Sequence, residues 1–497
     1  MRCLFSENSM DRLTVPSWRE AADSSAKLRP LCVDMDGTLL ETDTMAELIV
    51  SFLRAKFWRC WALLFWLLRG RAYFKRRLAE EAVLRVELLP ANPAFVRFLE
   101  EQHAGGRTLV LVSAADERIV NLVAERFKIF SSVIGSDGKT NLRTEAKLRR
   151  LTGLFGPKGF DYAGNSSADI PVWRGAAEAI VVNASRSVER RARQVTVVAR
   201  VFPRRTGCLD SLRRLLRVHQ WPKNLILLIP LLTGHKLRDP EALSHAGLGM
   251  VSFCLAASSV YVMNDLHDLE ADRLHPSKKT RPLAAGQFPI IGALALAPML
   301  LGLACFVAMT QPRVFQVCLG GYWVSSTLYC VYLKRVLLVD VFMLAGLYSI
   351  RIVAGNAATG ILYSNWLMGF SFFLFLGLAM LKRYIELRRL GGNGGKLVAG
   401  RDYRFEDLSS IFTVGAVSGY LAALVLALYI NSEEVRMLYN RPALLLFICP
   451  VLLYWITRVW FLASRDQIDD DPVLFALKDK ASYCNGALIV LVIWLAS

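Results

Sequence analysis

The stretch Tyr261–Gly286, YVMNDLHDLEADRLHPSKKTRPLAAG, decides how the chain is read, because a hydrophobic run ends there in spaced Asn and Asp residues followed by a basic loop. Asn264, Asp265, Asp268 and Asp272 stand at i, i+1, i+4 and i+8; if the helix continues, three of them share one face. Such a row suits Mg²⁺, a hard cation that keeps part of its water and is held by one or two carboxylates together with substrate phosphates. The expected substrate therefore carries a diphosphate leaving group. Lys278, Lys279 and Arg281 follow, the Arg able to fork onto phosphate oxygens and each Lys acting as a point charge. Charges alone would fit a solvated turn between membrane helices. The ordered spacing at a helix end favours the metal.

With 497 residues, 54% of them hydrophobic, the chain is too long and too apolar for one soluble domain and reads as a soluble part plus a membrane part. The formal charge of +18 would suit nucleic acid or an anionic leaflet. The apolar helices decide for the membrane, and the basic runs lack the interleaved aromatics of a nucleic-acid binder. Ten Cys are scattered without metal-type pairing, several in apolar runs (Cys254, Cys305, Cys318, Cys330, Cys449), and read as small buried hydrophobes of a reducing compartment. Residues 1–28 read as a disordered leader without a cleaved secretion signal.

Apolar runs of spanning length fall near 222–238, 244–263, 290–309, 314–333, 337–358, 364–381, 409–430, 442–462 and 480–496, nine in all. Most ionisable residues lie in alternate loops, so the positive-inside rule puts 264–289, 334–336, 382–408 and 463–479 on the cytosolic side of an inner membrane.

Before the membrane part, LCVDMDGTLLETD delivers Asp34 and Asp36 from a short apolar strand into a Gly turn. TLVLVSAAD repeats the pattern around Ser113, and FDYAGNSSADIPVW repeats it again with Asn165 and Asp169. Together these motifs resemble the haloacid dehalogenase-like phosphohydrolases over residues 29–185, implying an α/β Rossmann-like domain. The resemblance implies that Asp34 attacks phosphorus and that Asp36 is the general acid, then base. It implies that Ser113 holds a phosphoryl oxygen and that Lys147 balances charge, with Lys139 a competing candidate. Mg²⁺ would sit on Asp34, the backbone carbonyl of Asp36, and Asp169. GNSSAD replaces the commoner GD-x-x-x-D, so Asn165 puts an amide where a carboxylate is usual.

Between the first two motifs lies a helical cap at about 44–90, containing RAKFWRCWALLFWLLRGRAYFKRR. Its apolar core is about a dozen residues, short of the roughly 20 a span needs. Trp58, Trp61, Phe65 and Trp66 between flanking cations have the composition of a helix lying in the membrane interface, with a buried cap helix as the alternative. Residues 186–216 carry most of ten Arg against one Glu and one Asp and read as a polybasic linker.

Residues 217–497 resemble the UbiA superfamily of intramembrane prenyltransferases, through NDLHDLEAD at 264–272. RVHQWPKN, HPSKKTRPLAAG, YCVYLK, IRIVAG and KRYIEL resemble its polyprenyl-phosphate phosphoribosyltransferase branch. The resemblance implies an all-α nine-helix bundle that transfers 5-phosphoribosyl from phosphoribosyl diphosphate to a polyprenyl phosphate. Asn264, Asp268 and Asp272 would hold the metal with Asp265 assisting, and Lys223, Tyr261, Lys278, Arg281, Lys334, Arg351, Lys382 and Arg383 would bind substrate. Where the superfamily has a second acidic pair, only Asp340 stands, so a second metal clamp is not expected. Two other readings stay open: an aromatic-acceptor prenyltransferase of quinone synthesis, and a lipid-binding anchor whose only enzyme is the phosphatase.

Overall fold

The computed structural model describes residues 28–136, 142–204, 207–391, 402–468, 471–476 and 478–497; the leader and Lys139 lie outside them. The chain forms two compact units, one running to Leu39 and resuming over Asn92–Pro203, the other made of Leu40–Ala91 with Arg204–Ser497.

In chain order the elements before the membrane part are β1 (Leu31–Asp34), α1 (Thr44–Lys56), α2 (Cys60–Leu68), α3 (Arg71–Glu81), α4 (Pro93–Ala104), β2 (Leu109–Asp116), α5 (Glu117–Phe127) and β3 (Ser132–Ser136). They continue as α6 (Glu145–Phe155), β4 (Asp161–Gly164), α7 (Ile170–Gly175), β5 (Glu178–Val182), α8 (Arg186–Val195) and β6 (Val197–Phe202). The strands form one six-stranded sheet in the order β3-β2-β1-β4-β5-β6, with every pairing parallel. β1 is buried along its whole length, as expected for a strand covered on both faces. On one face Cys32, Val110, Val112, Tyr162 and Val181 pack with Trp173, whose indole donates to the Tyr162 carbonyl at 3.1 Å.

Much of the expected polybasic linker is instead ordered structure. Val188, Ala192 and Val195 recur at helical spacing on α8 and pack into that core, and β6 pairs with β5. The arginines occupy the opposite face, so charge hid a periodic apolar stripe.

The second unit continues with α9 (Cys208–Leu215), a 3₁₀ stretch over Val218–Leu228, α10 (Ile229–Thr233), α11 (Pro240–His267), α12 (Leu269–Leu274), α13 (Ile290–Ala308), α14 (Arg313–Val331) and α15 (Val339–Thr359). It ends with α16 (Asn365–Gly391), α17 (Leu408–Ile430), α18 (Glu433–Leu438), α19 (Ile448–Ser464), α20 (Pro472–Ala476) and α21 (Lys480–Ala496). Among the described residues seven helices are long and apolar enough to cross a membrane, where nine were expected: α11, α13, α14, α15, α16, and α17 and α19 with their leading turns. The first expected span is broken into the 3₁₀ stretch and α10 because Pro222 and Pro230 lack the N–H that a continuous helix needs. The last is α21, apolar but of 17 residues. Cys305, expected inside, is exposed on α13.

Helices α1–α3 belong to this second unit. Ala46 and Val50 pack with Val262, Leu266, Leu269, Leu283, Ile290 and Ala293 of α11–α13 and the loop between them. Trp58 and Trp61 are exposed as an interfacial helix requires, but Trp66 turns inward, 4% exposed, and its ring meets Phe52 edge-on at 5.3 Å.

The 3₁₀ stretch crosses α15 at Gly355, where a Cβ would stand 2.1 Å from the Leu227 carbonyl oxygen, a backbone atom that cannot swing aside. Gly355→Ala is expected to destabilise the unit by about 1–3 kcal/mol, read as a lower Tm in detergent. Gly302→Ala, which meets nothing within 4 Å, should leave Tm near wild type.

Candidate active sites

In the first unit, β1 and β2 end side by side in parallel register and so deliver Asp34 and Ser113 to the same edge of the sheet. Asp34 is almost fully buried and is held by two donors: Lys147 Nζ at 2.6 Å from Oδ1 and Thr38 Oγ1 at 3.2 Å from Oδ2. Lys147 reaches from α6 and also donates to the Tyr162 hydroxyl at 2.9 Å, which in turn donates to Asp169 Oδ1 at 3.0 Å. The other Asp169 oxygen accepts from the backbone N–H groups of Asn165 and Ser166 and from the Ser166 hydroxyl, at 3.0–3.1 Å. Ser113 Oγ donates to Asp36 Oδ2 at 3.3 Å. Asp34, Asp36, Ser113, Lys147 and Asp169 are thus brought together.

Burial pushes the Asp34 carboxyl up, to about 6, against the pull of Lys147 and with a further rise from Asp169. Burial pulls the other way on the Lys147 ammonium, but Asp34 and Asp169 outweigh it, and the group is held above its ordinary range. Tyr162 is held well above its ordinary range by burial and by the same two carboxylates, so it stays a neutral hydroxyl. Sequence reading missed Tyr162 and Thr38, although both lie within the quoted motifs.

In the second unit the helix does not continue through the acidic row. Asp268 is the junction between α11 and α12, with φ −91° and ψ 11°, and the turn there splits the four side chains into two pairs. Asn264 Oδ1 and Asp268 Oδ2 converge on Lys334 Nζ at 3.4 and 2.5 Å. Asp265 and Asp272 are instead bridged by Arg281, at 3.2 and 2.7 Å, and Asp265 also accepts from Arg217. Asp272 therefore does not share a face with Asn264 and Asp268. Arg217, which sequence reading left in the resemblance block without a role, lies over the Tyr261 ring at 4.8 Å.

The remaining expected cations separate. Lys223 and Lys382 share Asp471, the latter pair 3.7 Å apart. Asp471 went unnoticed in the IDDDP run. Arg351 is buried between the Tyr322 and Tyr348 rings, donates to Asn224 Oδ1 at 2.9 Å and to the Tyr322 hydroxyl at 3.1 Å, and caps the Leu347 carbonyl. Arg383 is 1% exposed and locked to Asp340 at 2.5 Å, to Glu386 at 2.6 Å and to the Tyr329 hydroxyl at 3.1 Å. Asp340 also accepts from the Tyr403 hydroxyl at 2.5 Å, so this carboxylate is a buried brace. Lys278 stands exposed in a 3₁₀ turn, Lys278–Thr280.

Among the described residues no group of three or more His, Cys, Asp and Glu side chains is arranged to hold a metal by itself. Mg²⁺ does not require one, since one or two carboxylates and the substrate's phosphates suffice. Asp34 with Asp169 in one unit, and Asp268 with the Asn264 amide oxygen in the other, meet that requirement. In the second case two oxygens already converge on one cation, the Lys334 ammonium.

A family model described as UbiA prenyltransferase family matches residues 227–478, and one described as haloacid dehalogenase-like hydrolase matches residues 31–174. The uncharacterized protein y4nM of Sinorhizobium fredii is 33% identical over 464 residues, covering 93% of this chain and 89% of its own. A decaprenyl-phosphate phosphoribosyltransferase of Corynebacterium glutamicum is 33% identical over 192 residues, 38% of this chain and 58% of its own. Among solved structures, a UbiA homolog from Archaeoglobus fulgidus bound to DMAPP and Mg²⁺ superposes with a TM-score of 0.45 at 18% identity, covering 57% of this chain and 96% of its own. The chain belongs to the UbiA prenyltransferase family, as a multi-pass membrane enzyme that carries a haloacid dehalogenase-like hydrolase domain ahead of its membrane helices.

Proposed function

We propose that the membrane unit transfers 5-phosphoribosyl from phosphoribosyl diphosphate to a polyprenyl phosphate and that the hydrolase unit then removes the 5-phosphate from the lipid product. The observation that carries this reading is the convergence of Asn264 and Asp268 oxygens on one cation at the end of an apolar helix, with Arg281 and Arg217 close by on Asp265. The relative named as a decaprenyl-phosphate phosphoribosyltransferase supports the choice of substrates. The engagement of Asp340 by Arg383 and Tyr403 also favours it over an isoprenyl diphosphate donor held by two acidic clamps.

Asn264 and Asp268 would hold Mg²⁺ with the donor's diphosphate, and Lys334, released from them, is placed to take a phosphate oxygen. Mg²⁺ there would neutralise charge building on the departing diphosphate. Lys278 and Arg281 extend the cationic lining. Lys223, Lys382, Arg351 and Tyr261 orient the ribose 5-phosphate end. Arg383 braces the helices through Asp340 in place of a phosphate contact. A lipid phosphate oxygen attacks the anomeric carbon, the bond to the diphosphate oxygen breaks, and diphosphate leaves.

In the hydrolase unit Asp34 Oδ attacks phosphorus while Asp36 gives its proton to the leaving ribose oxygen, then takes one from the water that cleaves the aspartyl-phosphate. Lys147 offsets the charge of the nucleophile, Ser113 holds a phosphoryl oxygen, and Asp169, fixed by Tyr162 and Ser166, would complete a Mg²⁺ set with Asp34 and the Asp36 carbonyl. The distribution of charged loops supports a cytosolic site at an inner membrane for this chemistry, and the product would be a pentofuranosyl lipid for cell-surface polymers.

Membranes given labelled phosphoribosyl diphosphate and polyprenyl phosphate should accumulate the 5-phosphate lipid when Asp34→Asn is introduced; wild-type product distribution in that variant contradicts the coupled phosphatase. Asp268→Asn should abolish lipid labelling, and retained labelling contradicts the transferase assignment. Lys147 lowers the Asp34 carboxyl, so in Lys147→Met the nucleophile protonates at higher pH. The acid limb of the phosphatase profile should move up by about 1–3 pH units, with a fall in kcat; an unmoved limb contradicts the pairing.

A further inference from the structure

Glu47 is an acid on α1, four residues past the first hydrolase motif and 226 residues before Arg273, yet it is 5% exposed and its carboxylate takes a two-pronged guanidinium. Arg273 Nη2 and Nη1 donate to its two oxygens at 2.5 and 3.1 Å, and Thr42 Oγ1 adds a third donor at 2.7 Å. Arg273 directly follows Asp272 on α12, and its Nε donates to the Ala284 carbonyl at 3.2 Å. One side chain thus ties α1, the acidic segment and the basic loop together. A second contact lies at the far end of that loop. Gly286 has φ +68°, and a Cβ there would stand 2.5 Å from the Glu41 carbonyl oxygen, so the loop closes on the chain leading into α1. A third is the Arg54–Glu270 pair at 2.9 Å. Beneath all three, Ala46 and Val50 pack on Leu266, Leu269 and Leu283.

A buried, bidentate, charge-assisted pair fixes direction as well as distance. What it fixes here is the turn of α12 that presents Asp272 to Arg281, and Arg281 in turn to Asp265. We propose that the segment inserted into the hydrolase chain at residues 40–91 is a working part of the transferase, in which Glu47 acts through Arg273 as a positioning residue that holds the acidic segment and the basic loop in the geometry that receives the sugar diphosphate. The inference rests on the donor site proposed above. Glu47 itself touches no substrate, and removing its charge leaves Arg273 a buried cation without its partner, free to pull α12 away from Ala284.

The test uses the full chain in lipid nanodiscs and three readouts: kinetics of lipid labelling with phosphoribosyl diphosphate, hydrolysis of p-nitrophenyl phosphate, and hydrogen exchange across residues 269–286. Glu47→Gln should raise KM for the donor on the order of 10- to 100-fold, as loss of an outer support does, with kcat changed less. Exchange in the segment should quicken, and p-nitrophenyl phosphate turnover should stay at the wild-type rate. Glu47→Asp should recover part of the KM. If Glu47→Gln does not yield folded protein, Gly286→Ala, which wedges the same seat apart through the loop, should show the same three changes. Donor KM and exchange both at wild-type values would overturn the proposal, as would a loss of both activities in equal measure from folded protein. If wild-type protein does not label lipid from this donor, the proposed function fails, and the exchange comparison still decides whether Glu47 holds the segment.

Discussion

Ionised groups at the ends of apolar helices persist only where a counter-charge or water meets them, and this constraint shapes the membrane unit. Asp265 and Asp272 share Arg281, Asp268 takes Lys334, Asp340 takes Arg383, and Asp471 serves both Lys223 and Lys382. Removing one partner of such a pair strands the other, at a cost of about 3–5 kcal/mol where both are buried. Arg383 with Asp340, almost wholly enclosed and satisfied on every side by Glu386, Tyr329 and Tyr403, is the permanent kind. Lys334 with Asp268 differs, both groups being partly exposed; under the proposed function a metal with its diphosphate would replace the ammonium on the same oxygens.

The hydrolase unit meets the same constraint with a relay. Lys147 lies between Asp34 and the Tyr162 hydroxyl, and that hydroxyl passes the hydrogen bond to Asp169. A lysine so placed keeps the Asp34 carboxyl more acidic than burial alone would allow and, through Tyr162, links the two carboxylates. In the membrane unit the corresponding cation, Lys334, comes from the 3₁₀ turn Leu333–Arg335 between α14 and α15; in the hydrolase unit it comes from α6 beside the sheet.

The α/β unit was legible because its strands are short apolar runs that end in polar residues, and a parallel sheet buries such runs whole. Asp34, Ser113 and Asp169 were readable from those strand ends. Tyr162 was not, because an aromatic on a buried strand looks like core, and only its hydroxyl reveals the second role. The membrane helices were legible by length, but the prolines at 222 and 230 argued against the first span and carried too little weight. The acidic row was found by spacing, whereas its division into two pairs depends on the bend at Asp268, which no periodicity announces. Arginine density from residue 186 masked the Val188, Ala192 and Val195 stripe. Glu47 was invisible for another reason: its partner Arg273 stands over two hundred residues away, and nothing local marks either as paired.

The central claim is that Asn264 and Asp268 give up the Lys334 ammonium for a metal that carries the donor's diphosphate. Full-length protein loaded with Mn²⁺ and phosphoribosyl diphosphate puts this directly to ³¹P electron–nuclear double resonance. The account predicts a strong phosphorus coupling to the metal that appears only with donor present and disappears in Asp268→Ala combined with Asp34→Asn, while Asp34→Asn alone retains it. A coupling that survives the loss of Asp268, or Mn²⁺ bound in the membrane unit with no phosphorus beside it, would contradict it.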